Sequence, residues 1–484
     1  MSESELIIGL ECHVQLSKLK TKLFCGCSAD YRDLEPNTVV CPTCLGLPGA
    51  LPVINREAIN LGLKVAKALN CKISDKIIFF RKNYYYPDMP KNFQISQYDR
   101  VGGIPLGRDG YIKIKTDSGM KSIRIRRIHL EEDPAKIVYL GSISTSPYSL
   151  IDYNRAGVAL LEIVTEPDLT SDEEAHMFLK KLRSIVEHLG VSDGSLQGSM
   201  RCDVNISLRG GKRVEIKNIS SFKEVKKAIN YEFLRQKQLL KRGVTVEQET
   251  RHWDEVRKIT VSMRSKETEQ DYRYFPEPDL VPIHISAEWL NKVLANLPEL
   301  PEARKTRFIS QYGLPVHDAE VLTSSKALAD FFEAAAKLYK NYKVISNWMM
   351  GDLLRNLNEL DIEISESKIT PELLVSMLKL IDEGVISGKL GKIIIRDIIQ
   401  TGKDPRILVE EKNIVKIASE EELTSFINQV FQEYPAAVKD ALKDEKAIHY
   451  LIGQVMKKTA GRADPELLNK LVRKKLAEIS SEKF

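Results

Sequence analysis

The chain has 484 residues, of which 43% are hydrophobic and 29% are charged, and its net charge is +5. This length exceeds what one compact core holds and predicts two to four domains. The sequence has no apolar run of ~18 residues and no secretory signal pattern at its start, so we expect a cytoplasmic protein without a membrane span.

Up to about residue 290, short segments alternate apolar and polar residues, which is typical of half-buried strands. These segments are residues 5–16, 110–119, 121–130, 200–209 and 212–220. Residues 56–70 and 171–190 show helical spacing instead, and the second segment opens with a capping box of Ser171 and Glu174. We therefore predict an α+β domain with a mixed or antiparallel sheet over residues 1–290.

After a proline-rich segment at 271–286, the pattern changes to amphipathic helices separated by Gly, Pro or Asn. These helices cover residues 301–313, 325–339, 344–360, 370–384, 419–434, 446–461 and 464–480. We place a boundary at "TGKDPR", near residue 405. The sequence then predicts an all-α helical domain over 291–405 and a small α-helical tail domain over 406–484.

Seven cysteines, an odd number, argue against a disulfide framework. Four of them form two close pairs, "CGC" and "CPTC", namely Cys25, Cys27, Cys41 and Cys44. Two such pairs can supply four thiolates to a tetrahedral zinc ion, and a site filled by protein ligands would be structural. The alternative is four reduced thiols without a metal.

Several strand-like segments each carry one or two acidic or amide side chains. They contain Glu11 and His13, then His129 with Glu131, Glu132 and Asp133, then Asp203 and Asn205, and finally Glu215, Lys217 and Asn218. Residues two apart on a strand point to one face, so Glu11 and His13 share a face. If the strands present a common face, its oxygens suit Mg²⁺. The alternative is ordinary surface polarity.

Two further segments, residues 81–99 and 270–282, combine prolines with Tyr, Arg, Lys, Asn and Gln. Such loops suit a pocket for a nucleotide or for the end of an RNA. The alternative is that they are surface loops whose tyrosines pack inward. The sequence has no Walker A, GxGxxG, GxSxG or HExxH pattern, so a phosphoryl transfer would not use a P-loop.

Basic residues concentrate at the end of the chain, where residues 449–484 hold eight Lys or Arg and four acids. Those on two neighbouring predicted helices are Lys457, Lys458, Arg473, Lys474 and Lys475. A basic helix face can bind a phosphate backbone. The alternative is a solvated helix face without a ligand.

Seven segments together resemble the B-subunit (GatB) family of the aspartyl/glutamyl-tRNA amidotransferases. They are "IGLECHVQL", "RKNYYYPDMPKNFQISQYD", "HLEEDPAK", "DYNRAGVALLEIVTEPD", "GSMRCDVNISLR", "EIKNISSF" and "DYRYFPEPDLVP". The resemblance runs in order from about residue 6 to the C-terminus. It implies a cradle domain, a helical domain and a YqeY-like tail that contacts tRNA.

The resemblance implies a ligase that forms a carbon–nitrogen bond with glutamine as amido donor. ATP would phosphorylate the side-chain carboxylate of misacylated Asp-tRNA(Asn) or Glu-tRNA(Gln), and ammonia would displace the phosphate. The ammonia would come from a separate amidase subunit, and a small third subunit would complete the heterotrimer, GatCAB. The expected cofactors are ATP, Mg²⁺ and a structural Zn²⁺.

The resemblance also carries roles onto numbered residues. It places Mg²⁺ on Glu11, His13 and Glu132, with Glu131, Asp203 and Glu215 as neighbours and with Arg155 and Lys217 as partners of phosphate or carboxylate. Strand alternation puts Glu131 and Glu132 on opposite faces, so at most one of them would bind the metal. The family pattern favours Glu132.

Two alternatives compete with this interpretation. An archaeal relative specific for Glu-tRNA(Gln) shares the cradle and the tail but carries a synthetase-like insertion, for which this chain has no room. A catalytically silent, zinc-stabilised scaffold that only binds tRNA is the alternative from another functional class.

Overall fold

The computed structural model describes residues 6–141, 146–194, 196, 198–265, 269–412, 417, 419–442, 444–459 and 462–481. The chain divides into two compact units, residues 1–304 with 324–326 and residues 305–323 with 327–484. Within the described part of the chain, no helix combines the length and the apolar character needed to cross a membrane.

The first unit contains the strands and four complete helices of the described chain. Its strands are β1 (Leu6–Gln15), β2 (Lys72–Ile73), β3 (Lys76–Ile77), β4 (Phe80–Asn83), β5 (Phe93–Ser96), β6 (Gly107–Thr116), β7 (Gly119–Glu132), β8 (Lys136–Tyr139), β9 (Ser149–Asp152), β10 (Ala159–Thr165), β11 (Met200–Leu208), β12 (Val214–Lys217), β13 (Glu249–Asp254), β14 (Ile259–Ser265), β15 (Phe275–Pro276) and β16 (Ile283–His284). Its helices are α1 (Arg56–Ala68), α2 (Asp172–His188), α3 (Phe222–Lys241) and α4 (Ala287–Leu294).

A nine-stranded sheet dominates this unit, in the order β14-β13-β12-β11-β1-β10-β7-β6-β2. Its neighbouring strands are antiparallel except for the parallel pair β12 and β13. Smaller sheets have the orders β15-β4-β5, β16-β3 and β8-β9. Because the N-terminal unit is sheet-rich and the remainder is helical, the predicted fold class is confirmed.

The alternation of apolar residues explains how the large sheet is covered. In β1 the side chains of Leu10, Cys12 and Val14 are buried in the same core as residues of α1, α2 and α3, while Glu11 and His13 are half-buried. Successive residues of a strand point to opposite faces, so one face of the sheet is apolar and the other is free to carry polar groups.

The cap of α2 follows the sequence pattern. The Ser171 side chain accepts a hydrogen bond from the Glu174 backbone N–H at 3.1 Å. The first turn carries Asp172, Glu173 and Glu174, whose charges favour the positive end of the helix dipole. The predicted helix over 171–190 is therefore observed, with bounds at Asp172 and His188.

The second unit consists of helices. They are α5 (Pro301–Tyr312), which begins in the first unit, α6 (Val316–Leu322), α7 (Lys326–Leu338), α8 (Tyr342–Trp348), α9 (Leu354–Leu360), α10 (Pro371–Asp382), α11 (Gly388–Thr401), α12 (Pro405–Glu411), α13 (Glu420–Glu433), α14 (Pro435–Ala441), α15 (Glu445–Lys458) and α16 (Pro465–Ser481). A π-helical turn, Met349–Leu353, joins α8 to α9.

Two separate hydrophobic cores lie in this second unit. One is built from residues between Phe308 and Val409, and the other from residues between Ile417 and Leu476. Leu408 and Val409 belong to the first core, although the predicted boundary assigns them to the tail. The division into domains 1–290, 291–405 and 406–484 stays a prediction.

Candidate active site

A row of ionisable side chains crosses three neighbouring strands in the middle of the large sheet. His13 on β1 is the register partner of Glu162 on β10, and Glu162 is the partner of His129 on β7. Directly opposed residues project to the same face. Glu11 and Glu131 share that face because each lies two residues from a histidine. We call these five residues the His–Glu centre.

The distances within the His–Glu centre are short. The His13 Nε2 atom lies 3.7 Å from Glu11 Oε1 and 3.6 Å from both Glu131 Oε1 and Glu162 Oε2. The His129 Nε2 atom lies 3.2 Å from Glu162 Oε2 and 3.5 Å from Glu131 Oε2. The potential ligand atoms of Glu11, His13 and Glu162 fall within 4.8 Å of one another. Three carboxylates therefore surround the His13 Nε2 atom.

Electrostatics in the centre favour bound protons or another cation. Burial opposes the charged form of each imidazole, but Glu162 and Glu131 outweigh it and raise the pKa of both His13 and His129 to about 9. Burial and the neighbouring Glu162 raise the pKa of Glu11. Positive charge is thus retained at neutral pH, and an incoming metal ion would replace protons.

Glu132 does not belong to this centre. Lys91 Nζ donates to its two carboxylate oxygens at 2.5 and 2.6 Å, and the Ile95 N–H donates to Oε1 at 2.8 Å. The register of β7 with β10 is regular at this point, so Glu131 and Glu132 project to opposite faces. The structure therefore places Glu132 apart from Glu11 and His13, and its role as a metal ligand beside them stays a prediction.

The four predicted zinc ligands lie together. The Sγ atoms of Cys25, Cys27, Cys41 and Cys44 all fall within 4.8 Å of one another. The Cys41 N–H donates to Cys44 Sγ at 3.1 Å, and the buried Lys22 ammonium lies 3.7 Å from the same sulfur.

Ionisation of one thiol suits metal binding. A hydrogen bond from Cys25, the Cys41 N–H and the charge of Lys22 all favour the Cys44 thiolate. Together they outweigh burial, which favours the thiol, and lower the pKa of Cys44 to about 4. Burial, with a hydrogen bond involving Cys41, raises the pKa of Cys27 to about 11. A thiolate is the metal-binding form of cysteine, so the loop offers one at neutral pH.

Comparison with known proteins covers nearly the whole chain. Residues 6–291 match the GatB/GatE catalytic domain, and residues 330–476 match the GatB domain with the YqeY designation. The B-subunit of an aspartyl/glutamyl-tRNA(Asn/Gln) amidotransferase from Saccharolobus solfataricus is 52% identical over 97% of this chain and 99% of its own length. The chain belongs to the GatB family.

Two bacterial relatives with the same name show similar agreement. The one from Carboxydothermus hydrogenoformans is 50% identical over 99% of this chain and 100% of its own length. The one from Thermotoga maritima is 51% identical over 97% of this chain and 98% of its own length. Both the predicted family and the prediction of an amidotransferase enzyme are confirmed.

Two of the remaining predicted residues border the centre of this GatB-family chain. Asp203 on β11 is the register partner of Glu11, and Lys217 Nζ donates to Asp203 Oδ2 at 3.0 Å. Lys217 Nζ also lies 3.9 Å from Glu215 Oε1, while Glu215 Oε2 accepts a hydrogen bond from the Thr250 hydroxyl at 3.0 Å. Glu215 is buried beside this pair, one step further across the sheet.

Arg155 forms hydrogen bonds with backbone carbonyl groups of the chain. Its Nε and Nη2 atoms donate to the carbonyl oxygens of Pro134 and Ala135 at 2.9 and 2.7 Å. Arg201 is better placed, because it is the register partner of His13 and its Nη2 donates to the buried Asp133 at 2.6 Å. The register thus places Arg201 on the face of the centre, and Arg155 Nε lies 3.7 Å from Oδ1 of the same Asp133. The role of Arg155 as a partner of phosphate or carboxylate stays a prediction.

His129 was predicted to lie among the acids of its segment but received no role of its own, and Glu162 and Arg127 were not predicted as site residues. Arg127 Nη2 donates to Glu162 Oε1 at 3.3 Å and holds that carboxylate in the row. The signal for Glu162 was its isolated charge in the apolar segment "ALLEIVT". An acid there cannot be left without a partner, because burial of an unpaired charge is costly.

The five basic tail residues lie on α15 and α16. Lys458 forms an ion pair with Glu433, Arg473 Nη2 donates to Glu445 at 2.6 Å, and Lys475 Nζ lies 3.4 Å from Glu478. Lys457 and Lys474 are exposed. Three of the five positive charges are therefore partly neutralised by acids of the same unit.

Proposed function

We propose that this chain activates the side-chain carboxylate of an aspartyl or glutamyl group esterified to tRNA. ATP donates its γ-phosphoryl group to that carboxylate, and ammonia displaces the phosphate to give Asn-tRNA or Gln-tRNA. The names of the relatives support this class of substrate. The observation that carries the proposal is a pair of possible metal-binding groups that share Glu162. They are Glu11–His13–Glu162 and His129–Glu131–Glu162, and the ligand atoms of each lie within 4.8 Å of one another.

The proposed chemistry needs charge neutralisation more than acid–base groups. An amide does not form directly from a carboxylate at neutral pH, because the departing oxide is a poor leaving group, whereas phosphate leaves readily. The attacking oxygen is already anionic, so the protein has no proton to remove. Positioning and electrostatic stabilisation then supply most of the catalysis.

The donor set of the His–Glu centre fits a hard divalent cation. Glu11, Glu131 and Glu162 would hold Mg²⁺ through carboxylate oxygens, with His13 at its edge. When bound, Mg²⁺ would neutralise charge on the phosphate oxygens. In this assignment Glu131 and Glu162 replace Glu132, while Asp203 and Lys217 line the neighbouring surface.

The cysteine loop and the tail have separate roles in the proposal. The four cysteine Sγ atoms lie within 4.8 Å of one another and would hold a structural Zn²⁺ as thiolates, since they leave no coordination position open. The exposed basic surface of α15 and α16 would bind phosphates of the tRNA body. An amidase subunit would release ammonia from glutamine, and a small third subunit would join the two.

The test is ATP-dependent formation of an acyl phosphate on misacylated tRNA by the reconstituted complex. Hydroxylamine traps the acyl phosphate as a side-chain hydroxamate. The ATP-dependent part of this product, above the cleavage of the tRNA ester seen without ATP, makes the step measurable without ammonia. We expect Glu131→Gln to lower this rate by ~10²–10³-fold, a range typical for loss of one electrostatic group. Glu247→Gln is the matched control, because Glu247 is exposed and pairs only with Lys212 among the described residues.

The result separates the two functional classes. A full rate in Glu131→Gln, with Mg²⁺ dependence preserved, would refute the catalytic role of the centre. If wild-type complex forms no acyl phosphate at all but binds tRNA, the silent scaffold is supported instead. Filter binding of tRNA and a thermal unfolding curve for each variant show whether a lost rate reflects lost structure.

A further inference from the structure

Lys82 projects toward the same end of the large sheet as the His–Glu centre. It lies on β4 opposite Gln94 of β5. The β5 strand meets the end of β7, where Gln94 Nε2 donates to the Glu132 carbonyl at 2.7 Å and Ser96 Oγ donates to Glu131 Oε2 at 3.1 Å. Gln94 and Ser96 are two residues apart on β5, so their side chains share a face. Because Lys82 lies opposite Gln94, its side chain projects to that same face.

Aromatic faces surround the Lys82 ammonium. Its Nζ atom lies 4.8 Å from the ring centroid of Tyr272 and 5.8 Å from that of Tyr84. Among the described side chains, no carboxylate lies within 4 Å of this nitrogen. Burial opposes its charge, but Tyr84, Tyr272 and the nearby Glu131 outweigh burial and raise the pKa of Lys82. The ammonium is therefore charged, and aromatic faces hold it without neutralising it.

Four other positively charged side chains near the centre form ion pairs with acidic residues. The closest N–O distances are 3.0 Å for Lys217 with Asp203, 3.3 Å for Arg127 with Glu162, 2.6 Å for Arg201 with Asp133 and 2.5 Å for Lys91 with Glu132. Lys82 differs from these four because the described part of the chain gives it no such partner. An anion from outside the protein would complete its environment.

We propose that Lys82 binds the phosphoryl group while it passes from ATP to the substrate carboxylate. This inference rests on the proposed function and adds a catalytic residue to it. The bond between the γ-phosphorus and the β,γ-bridging oxygen breaks, and ADP leaves with the electron pair. A carboxylate oxygen of the aminoacyl group forms the new bond to phosphorus.

Lys82 keeps its proton throughout this transfer. Its fixed positive charge offsets the negative charge on the non-bridging phosphoryl oxygens, which is the contribution expected of a lysine in phosphoryl transfer. A lysine already paired with an acid would first have to give up its partner. The two tyrosine rings hold Lys82 in place at no such cost.

The experiment compares Lys82→Met, Lys82→Arg and Lys113→Met in the reconstituted complex. Lys113 is a matched control because it is an exposed strand lysine whose ammonium lies 5.9 Å from the Tyr111 ring. We expect Lys82→Met to lower the rate of hydroxamate formation by ~10²–10³-fold. We expect Lys82→Arg to recover part of that rate and Lys113→Met to match wild type.

Further measurements distinguish this role from a structural one. Binding of Mg²⁺ alone and of tRNA alone should be unchanged in Lys82→Met, while kcat falls more than KM for ATP rises. Loss of tRNA affinity with an unchanged rate at saturation would mean that Lys82 contacts the RNA backbone, which overturns the proposal. A full rate in Lys82→Met overturns it too.

Failure of the proposed function gives a different result. In that case the wild-type complex itself forms no acyl phosphate. An active wild type with a fully active Lys82→Met refutes only the role of Lys82. If Lys82→Met loses both activity and its cooperative unfolding transition, the more conservative Lys82→Arg and Lys82→Gln decide the matter. Folded Lys82→Gln that retains the wild-type rate would refute the proposal.

Discussion

Replacing Glu162 by Gln should lower the pKa of both histidines of the His–Glu centre in metal-free protein. Glu162 is the carboxylate that both imidazoles share, at 3.6 Å from His13 and 3.2 Å from His129. Glutamine keeps the size of the side chain but removes its charge. Burial still opposes protonation of both imidazoles, and less negative charge remains to counter it. Both pKa values therefore fall.

The size of the change follows from the pKa values. Each histidine is raised from the ordinary value of 6.5 to about 9. At 1.36 kcal/mol per unit, this corresponds to ~3 kcal/mol of preference for each imidazolium. His129 keeps Glu131 after the substitution, and His13 keeps Glu131 and Glu11, so the loss is partial. We expect each pKa to fall by about one unit or more, or ~1 kcal/mol.

The sign for stability follows from the raised values. Below pH 6.5 the folded and unfolded histidines are both protonated, and the stabilisation is fully present. Between pH 6.5 and about 9 only the folded protein keeps these protons, so stability falls as the pH rises through this window. In Glu162→Gln this fall should be smaller than in wild type.

Nuclear magnetic resonance of imidazole-labelled, metal-free protein measures the two pKa values directly. Urea unfolding at pH 6 and pH 9 measures the linked change in stability. His176 provides an internal control, because burial and Lys180 lower its pKa and it lies on α2. If both wild-type imidazoles titrate near 6.5, or if their pKa values do not move in Glu162→Gln, then Glu162 does not raise the pKa of either histidine.

Three further substitutions test neighbouring features. Glu132→Gln should leave the affinity for Mg²⁺ unchanged in calorimetry but lower the free energy of unfolding by ~3–5 kcal/mol, because Lys91 loses its buried counter-ion. Lost Mg²⁺ binding with intact stability would contradict this. Cys44→Ser should lower both zinc content and melting temperature without changing Mg²⁺ affinity. If a chelator leaves the melting temperature of the wild type unchanged, the protein holds no structural zinc. Asp133→Asn should cost ~1–3 kcal/mol in urea unfolding by weakening the hydrogen bond from Arg201, and an unchanged midpoint would count against that contact.

Local periodicity was enough to predict β1 and most of β7, which carry Glu11, His13 and His129, but it did not predict β10, which carries Glu162. Alternation along β1 put Glu11 and His13 on one face, and the structure brings their side chains within 3.7 Å. Alternation also allowed only one of Glu131 and Glu132 to face the metal. The resemblance to the family then selected Glu132, whereas the register of β7 places Glu131 beside the histidines. At this position the strand register and the family pattern therefore favour different residues.

Pairing between distant strands was not predictable from the same patterns. Glu162 reaches His13 only because β10 inserts between β1 and β7, and no short-range signal specifies that order. The surroundings of Arg155 were unpredictable for a similar reason. Its guanidinium is used by the carbonyls of Pro134 and Ala135, which become neighbours only after the β-segments have assembled.

The apolar face of the sheet determines the geometry of the polar one. Cys12 and Cys202 are register partners buried in the core, and they lie between the polar pairs of Glu11 with Asp203 and of His13 with Arg201. A slip of one residue between β1 and β11 would carry His13 into the core and Cys12 onto the polar face. Burial of the apolar residues against the helices excludes that slip, because it would bury charged groups without partners. The strand register that buries the most apolar surface is thus the same register that brings the carboxylates together. Folding of the core is therefore enough to assemble the site.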